Sequence, residues 1–425
     1  MIPRNTACVR MRHASTTAAR LPRRLLCAVL LAAVVVNILL RMSEDSVGTT
    51  FGACVRSRAL YRGPHHSVMS DARHFLGNET FRYTFRAWSP LRVQQSEALY
   101  LVQSRRAPSG LASHCDWVVG SRKEHWNQRA HPHFTVFGDP SVVPRTVFVQ
   151  TDELQTFSNA MLPCFPRDHR FVLISGDHDK TTPRQLDLRY APVLLPDTWE
   201  QWQRDPRIAH IFVEHLDVRP STKVSGIPLG FNPKELDPDF ALTYAQNIAP
   251  ISQRPLRALD ASRDRFDGRK YVSEAAKNAS PPEERQWLER HRAAQACDAA
   301  SWCDKLASVP KHHYLDTIQN YSFVLCAHGG GIDPNPKLFT VLAAGAIPII
   351  RVEPEWGFAS VYEGWPVVRL EKWADITRAK LEEWRVIHAP AFEDRQLREQ
   401  LLERLRARYW WKRINSHLPS SLKPD

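Results

Sequence analysis

The chain has 425 residues, with 57 Lys and Arg against 45 Asp and Glu, so its formal net charge is +12. Seven of the positive charges are arginines among the first 42 residues, where no acid occurs, and the rest of the chain carries only +5. The sequence pI near 9.4 is therefore no argument for nucleic-acid binding. With 43% hydrophobic and 24% charged residues, the composition excludes a fibrous or wholly disordered chain, and the length allows two domains.

The N-terminus predicts a membrane anchor. Residues Leu25–Leu40 carry no charge and lie between Arg24 and Arg41. As a helix this run would span about 24 Å, which is short for a bilayer core of about 30 Å, but arginines can snorkel at both ends. We predict a cytosolic tail (1–24), a signal-anchor (25–41) and a luminal remainder, because the positive flank stays inside. A cleaved signal peptide and an organellar transit peptide are the alternatives.

The next segment, 42–110, contains few long apolar runs and is interpreted as a stem. An N-terminal α/β domain is predicted over 111–240, because short apolar strands then alternate with helical stretches. The predicted elements are strands Thr146–Gln150, Phe171–Ser175, Ala191–Leu195 and Ala209–Val213, and a helix over Leu154–Leu162.

A proline-rich polar segment over 241–270 is interpreted as a linker, and a C-terminal α/β domain over 271–415 is followed by a tail, 416–425. The predicted strands of this domain are Ser322–Cys326, Ala346–Ile350 and Pro366–Leu370. Its predicted helices are Pro282–Ala294, Lys311–Gln319, Pro336–Ala344, Trp373–Trp384 and Arg395–Trp411. Two α/β domains with a cleft between them are the simplest architecture, and such clefts bind nucleotides.

Six of the eight cysteines lie beyond the predicted span, an even number that suits luminal disulfides. Cys297 and Cys303 could form a local bridge, and no nearby paired histidines suggest a zinc site. Three N-x-[ST] triplets are candidate glycosylation sites, at Asn78, Asn278 and Asn320.

The most informative stretch is YSFVLCAHGGGIDPNPKLFTVLAAGAIPII, Tyr321–Ile350. Its pattern is a strand, a glycine-rich turn beginning at His328, a helix after Pro336 and a second strand. The glycines allow close backbone approach to a ligand, and the helix N-terminus favours an anion such as a diphosphate. An HGGG run also occurs in lipases and esterases, but the chain has no G-x-S-x-G elbow. A tight loop without a ligand is the other interpretation.

This stretch resembles the C-terminal signature of exostosin-like glycosyltransferases, of the form "Y…FvLspHGnGlD..R.wEaL..GsiPvi". The resemblance extends to TVFVQTDELQTF, FVLISGDHDKTTP, TKVSGIPLGF and ASPPEERQWLERH, and covers about residues 140–390. It implies a GT-B fold of two facing Rossmann-like domains, with a nucleotide-sugar donor bound mainly by the C-terminal one. It also implies a single-pass type II protein of the Golgi or endoplasmic reticulum membrane, which transfers sugar to a glycan or glycoprotein acceptor.

The resemblance assigns donor-binding positions. His328, Gly329, Gly330 and Asp333 match the glycine-turn positions and would border the donor. Arg285 matches the arginine of the family and would neutralise diphosphate charge through its guanidinium group, unless it is merely an exposed helical arginine.

Two residues depart from the signature. Lys337 replaces its arginine and loses the bidentate geometry, and Thr340 replaces a glutamate that could accept hydrogen bonds from the ribose hydroxyls. An alternative function follows from these changes: a weak or inactive relative that acts as a luminal partner of another transferase.

The triplet Asp177-His178-Asp179 follows the strand FVLIS. A D-x-D triplet holds a divalent ion in GT-A transferases, but the family block places this one in the acceptor domain. We therefore predict Asp177 or Asp179 as an acceptor-binding residue or general base and expect no metal cofactor. Asp152 is a weaker candidate, and a capped loop carboxylate is the alternative.

Overall fold

A computed structural model describes residues 82–86, 96–100, 108–121, 133–186, 192–261, 289–298, 300–306, 309–310, 313–328, 331–334 and 336–419. All of them belong to one compact unit, Phe51–Asp425. The predicted signal-anchor lies outside the described residues, as do Arg285, Gly329, Gly330, Asn78 and Asn278. Within the described ranges, no helix is both long enough and apolar enough to cross a bilayer.

The first sheet has seven strands in the order β1-β3-β2-β4-β5-β6-β7. They are β1 (Arg82–Arg86), β2 (Trp117–Ser121), β3 (His133–Phe137), β4 (Thr146–Gln150), β5 (Phe171–Gly176), β6 (Ile208–Val213) and β7 (Val224–Gly226). Every pair is parallel except β2 with β3. All residues of β4 and β5 are buried, as expected for central parallel strands covered on both faces.

The second sheet has five strands, all parallel, in the order β12-β11-β10-β8-β9. They are β8 (Ala258–Asp260), β9 (Cys303–Lys305), β10 (Phe323–Leu325), β11 (Ile347–Arg351) and β12 (Val368–Leu370). The chain leaves β8 to form β9 on one side and then returns to form β10 on the other. The order therefore reverses between β8 and β10, which is the topological switch point of a flavodoxin-like sheet.

Ten α-helices accompany the sheets in the described residues. They are α1 (Leu154–Thr156), α2 (Pro196–Arg204), α3 (Pro238–Tyr244), α4 (Glu289–Asp298), α5 (Tyr314–Gln319), α6 (Lys337–Ala343), α7 (Arg378–His388), α8 (Pro390–Glu393), α9 (Arg395–Arg404) and α10 (Ala407–Ser416). Single turns of 3-10 helix cover Gly110–His114, Thr151–Glu153, Leu162–Cys164, Ile251–Gln253, Gly357–Tyr362 and Trp373–Asp375, and a π-helical turn covers Phe157–Met161.

The α/β class with two largely parallel sheets is confirmed. The strands predicted at Thr146–Gln150, Phe171–Ser175 and Ala209–Val213 are β4, β5 and β6. The prediction of a strand over Ala191–Leu195 is wrong for its described part, 192–195. There Val193 and Leu194 are buried because they pack in the core as the chain enters α2.

The domain boundaries stay predictions, and two predicted connecting segments contain structured residues. The segment 241–270, expected to be a linker, contains β8, which lies between β9 and β10. The segment 42–110, expected to be a stem, contains Ala98 and Leu99, which are buried. The N–H of Leu99 donates to Leu405 O, 2.8 Å, at the break between α9 and α10, where a single helix was predicted.

A disulfide joins Cys297 at the end of α4 to Cys303 in β9, which confirms the predicted local bridge. Cys164 is also disulfide-bonded, whereas Cys115 and Cys326 are buried thiols. Asn320, a candidate glycosylation site, is exposed at the end of α5.

Candidate functional site

The carboxyl ends of β4, β5 and β6 bring polar residues to one edge of the first sheet. β4 is followed by Thr151 and Asp152, β5 by Asp177, and β6 by Glu214 and His215. Ligands of open α/β sheets bind beyond the carboxyl ends of the strands, so this edge is where a site is expected.

Asp177 adopts a left-handed backbone conformation, with φ of 66°. Its N–H donates to Oε2 of Glu214 over 2.9 Å. The residue before it is Gly176, where a side chain would collide with the Glu214 carboxylate. Positive φ is uncommon for a non-glycine residue and costs about 1–3 kcal/mol, so the contact with Glu214 holds Asp177 in a strained conformation.

The loop after β10 in the second sheet meets the loop after β6 in the first. The N–H of Asp333 donates to Nδ1 of His215 over 3.2 Å. A side chain at Gly331 would collide with the same imidazole ring, so only glycine allows this approach. His215 also has a left-handed backbone, with φ of 52°. The loops from the two sheets therefore pack closely against each other at His215.

The 3-10 turn Gly357–Tyr362, which follows β11, completes the contact. Tyr362 donates from its hydroxyl to Oδ2 of Asp333, 3.0 Å, and both residues are buried. The N–H of Phe358 donates to Leu216 O, 2.9 Å, and Gly357 leaves no room for a side chain against Val218. Asp333 thus makes one hydrogen bond with a residue that follows a strand of each sheet, His215 and Tyr362.

Three acidic groups share this buried space, and their charges repel. Burial raises the pKa of Glu214 well above its ordinary value, and the charges of Asp177 and Asp333 raise it further against the opposing effect of the Asp177 N–H. Burial, and then Asp333, raise the pKa of the Tyr362 hydroxyl. Burial therefore favours the protonated form of Glu214, while Tyr362 remains a hydrogen-bond donor.

The other acids of the predicted triplet region have different environments. Asp152 is almost fully buried and pairs with Nζ of Lys180, 2.6 Å, and with Nε2 of His178, 3.4 Å. Nδ1 of His178 accepts the N–H of Lys180, 3.2 Å, so both ring nitrogens of this histidine are engaged. Asp179 is exposed, whereas Asp177 is only partly buried. Of the two carboxylates predicted as a base, Asp177 is the one held by Glu214, next to the contact between the two sheets.

His328 lies just beyond the carboxyl end of β10, at the switch point beside β8. It is 2% exposed and packs edge-on against Trp356, with ring centroids 5.5 Å apart. The guanidinium of Arg351 lies 5.0 Å from the centroid of the same indole. A histidine, an aromatic ring and an arginine thus lie together at the ends of β10 and β11.

The two departures from the signature lie in the first turn of α6. Thr340 is buried and donates its hydroxyl hydrogen bond to Pro336 O, 3.4 Å, within its own helix. Lys337 is partly buried. Burial raises the pKa of Cys326 to about 12, and the positive charge of Lys337 opposes this rise. Lys337 is therefore close to the carboxyl end of β10, whereas the hydroxyl of Thr340 is used locally.

The structure brings two predicted residues, Asp177 and Asp333, to the same contact between the sheets. The residues that connect them, Glu214 and His215, were missed by the sequence analysis. A usable signal was present, since a carboxylate and an imidazole directly follow the buried strand AHIFV.

A metal ion was not expected at this site. Across the described ranges, no group of three or more His, Cys, Asp or Glu side chains is arranged to hold one. Metal dependence stays a prediction.

Comparisons with known proteins leave the family open. No family model matches the chain, and no curated protein matches it. Among solved structures, it is similar to an alpha-glucosyltransferase in complex with UDP, with 10% identity, a TM-score of 0.23 and coverage of 66% of this chain and 79% of that one. A second is an alpha-glucosyltransferase in complex with UDP-glucose and DNA containing an abasic site, with the same identity and TM-score and 66% and 78% coverage.

Proposed function

We propose that this chain is an exostosin-like glycosyltransferase, which moves a sugar from a nucleotide-sugar donor to a glycan or glycoprotein acceptor. The observation that carries the proposal is the contact between the loops after β6 and β10, where Asp177, Glu214, His215 and Asp333 meet. Carboxyl-end loops of two parallel sheets that meet at acidic and imidazole groups suit a two-substrate reaction, one substrate on each sheet.

The donor belongs to the second sheet in this proposal. Its switch point, between β8 and β10, is the usual nucleotide position of a flavodoxin-like sheet. His328 lies there, and Lys337 lies nearby on α6. With Arg285, Lys337 would neutralise the diphosphate, His328 would border the donor, and the glycine turn would let the backbone approach the diphosphate.

The acceptor belongs to the first sheet, with Asp177 as the general base. The acceptor hydroxyl would lose its proton to the Asp177 carboxylate as its oxygen bonds to the anomeric carbon. The bond from that carbon to the diphosphate oxygen breaks, and the nucleoside diphosphate leaves with the electron pair. Asp177 is suited to this step because it is partly exposed and fixed by its backbone, whereas burial favours the protonated form of Glu214 beside it.

The proposal includes a location. A signal-anchor at 25–41 would put the sheets in the lumen of the Golgi or endoplasmic reticulum, bound to the membrane as a single-pass type II protein. The confirmed Cys297–Cys303 bridge agrees with an oxidising compartment.

A panel of nucleotide sugars tests the activity. The full chain in detergent micelles is assayed for thermal stabilisation by each donor and for release of the nucleoside diphosphate. We expect one donor to raise the melting temperature, and Asp177→Asn to reduce turnover by about 10²–10⁴-fold without loss of donor binding. The matched control is Glu382→Gln, which changes an exposed carboxylate on α7. Equal turnover in Asp177→Asn and Glu382→Gln would remove the base assignment.

One observation favours the alternative, a catalytically weak luminal partner of another transferase. The hydroxyl of Thr340, at the position of the family glutamate, is buried and bonded to Pro336 O. If no nucleotide sugar stabilises a folded wild-type chain, while Thr340→Glu restores stabilisation by a donor, this alternative replaces the active transferase.

A further inference from the structure

We infer that Glu214 is a positioning residue for Asp177: its carboxyl group accepts the Asp177 N–H and thereby holds the proposed base in its left-handed conformation. This inference rests on the proposed function, because it assigns Glu214 to the same transfer step.

The surroundings of Glu214 position its carboxyl group to accept the Asp177 N–H. The residue is 3% exposed, and its own N–H donates to Ser175 O over 3.0 Å, which fixes its backbone to β5. Its Oε2 accepts the Asp177 N–H over 2.9 Å, and Gly176 has no side chain to obstruct the carboxyl group. Gly176 at the end of β5 and Asp177 just beyond it thus accommodate the side chain of Glu214, which follows β6.

The left-handed backbone conformation of Asp177, which Glu214 supports, has a free-energy cost. Asp177, with φ of 66°, is one of only three non-glycine residues with positive φ in the described ranges. A second is His215, the residue that follows Glu214. Strained residues of this kind persist where the surroundings determine them, and they cluster at functional sites. Here two strained residues flank one carboxyl group where the two sheets meet.

The position of Glu214 also separates it from the reacting atoms. It is buried beneath the strand ends, whereas Asp177 is partly exposed. The charged or titratable groups that influence Glu214 are Asp177 from the loop after β5 and Asp333 from the loop after β10. The charge of Glu214 in turn contributes to raising the pKa of Tyr362, from the turn after β11. Glu214 therefore acts through Asp177 rather than on the substrate.

Paired variants of the full chain separate the hydrogen bond from the charge. Glu214→Gln keeps the shape and the acceptor oxygen, so we expect kcat within about threefold of wild type at neutral pH. Glu214→Ala removes the acceptor, and we expect kcat to fall about tenfold or more with the donor KM nearly unchanged.

A double-mutant cycle shows whether Glu214 acts through Asp177. In an Asp177→Asn background, Glu214→Ala should have no further effect on kcat, because the base that it positions is already absent. A full additional decrease in the double variant would overturn the inference, as would wild-type kcat in Glu214→Ala alone.

Hydrogen exchange provides a readout that does not need activity. The amide of Asp177 should exchange faster in Glu214→Ala than in wild type and at the wild-type rate in Glu214→Gln. The control is Asp217→Asn, which alters another buried carboxylate of the same loop that accepts from Thr181 and Gln185, and should leave the Asp177 amide unchanged. An inactive wild-type chain would overturn the proposed function, whereas unchanged exchange in Glu214→Ala would overturn this inference.

Discussion

Mild acidification should weaken the attachment of the C-terminal helix α10 to β6, because two histidine rings are stacked between them. His210 in β6 and His417 after α10 have ring centroids 3.7 Å apart. Burial, together with the positive charges of His417 and Arg413, lowers the pKa of His210 to about 3. The pKa of His417 is lowered as well, by burial and by Arg413. Both shifts favour the neutral rings in the folded protein.

The sign of the effect follows from the two pKa values of His210. In the unfolded chain its pKa is about 6.5, so below that pH the unfolded state binds a proton that the folded state does not. Folded-state stability is fully present above pH 6.5 and decreases as the pH falls towards 3. At about 1.4 kcal/mol per pH unit, lowering the pH from 7 to 5 costs about 2 kcal/mol, and less if water reaches the ring.

The assay is thermal unfolding of the full chain in detergent at pH 7 and pH 5, with His210→Phe as the variant. Phenylalanine keeps an aromatic ring beside Phe212 but cannot bind a proton. We expect the wild-type melting temperature to fall by roughly 2 °C more than that of the variant. His313→Asn, at an exposed histidine, should behave as wild type. An equal fall in His210→Phe and wild type would refute the reasoning.

Three other predictions concern buried contacts. Arg398→Met should lower the free energy of unfolding by about 3 kcal/mol or more, because the guanidinium donates to the carbonyl groups that end α3 and α6. Arg395→Met, at an exposed arginine of the same helix, is the control in chemical denaturation. Gly331→Ala should cost about 1–3 kcal/mol and weaken donor binding in calorimetry, because the added methyl group meets the ring of His215. Tyr362→Phe should destabilise the chain by about 1–2 kcal/mol in thermal unfolding, because Asp333 loses a buried donor; an unchanged melting temperature would contradict this.

The parts of the fold that sequence predicts well are the long buried strands. β4, β5 and β6 each contain five or six residues that are almost all buried, so each appears as a continuous apolar run. The strands β1, β2, β3, β7, β8 and β9 escaped prediction, and several of them are short. β8 and β9 have three residues each, and the sequence of β9 is Cys-Asp-Lys. Pairing with longer neighbours, rather than local pattern, makes these residues strands.

The candidate site likewise depends partly on local sequence patterns and partly on contacts between residues that are far apart along the chain. Asp177 and Asp333 each follow a recognisable strand or turn, so their positions at strand ends could be predicted. That both lie at the contact between the sheets could not be predicted, because it depends on Glu214 and His215, which are far from Asp333 along the chain. The pKa shift of Glu214 arises from burial and from charges on separate loops, and no local pattern encodes that combination.

In the glycine run after β10, the last glycine has a structural role that differs from the one predicted for the run. Sequence reasoning explains His328-Gly-Gly-Gly by close approach of the backbone to a ligand. In the structure, the last of the three, Gly331, instead makes room for the ring of His215 from the other sheet. A substitution there would first separate the loops of the two sheets, and any donor would be affected through that separation. Gly331 therefore joins the two halves of the proposed site, and its contribution to donor binding runs through His215 and Asp333.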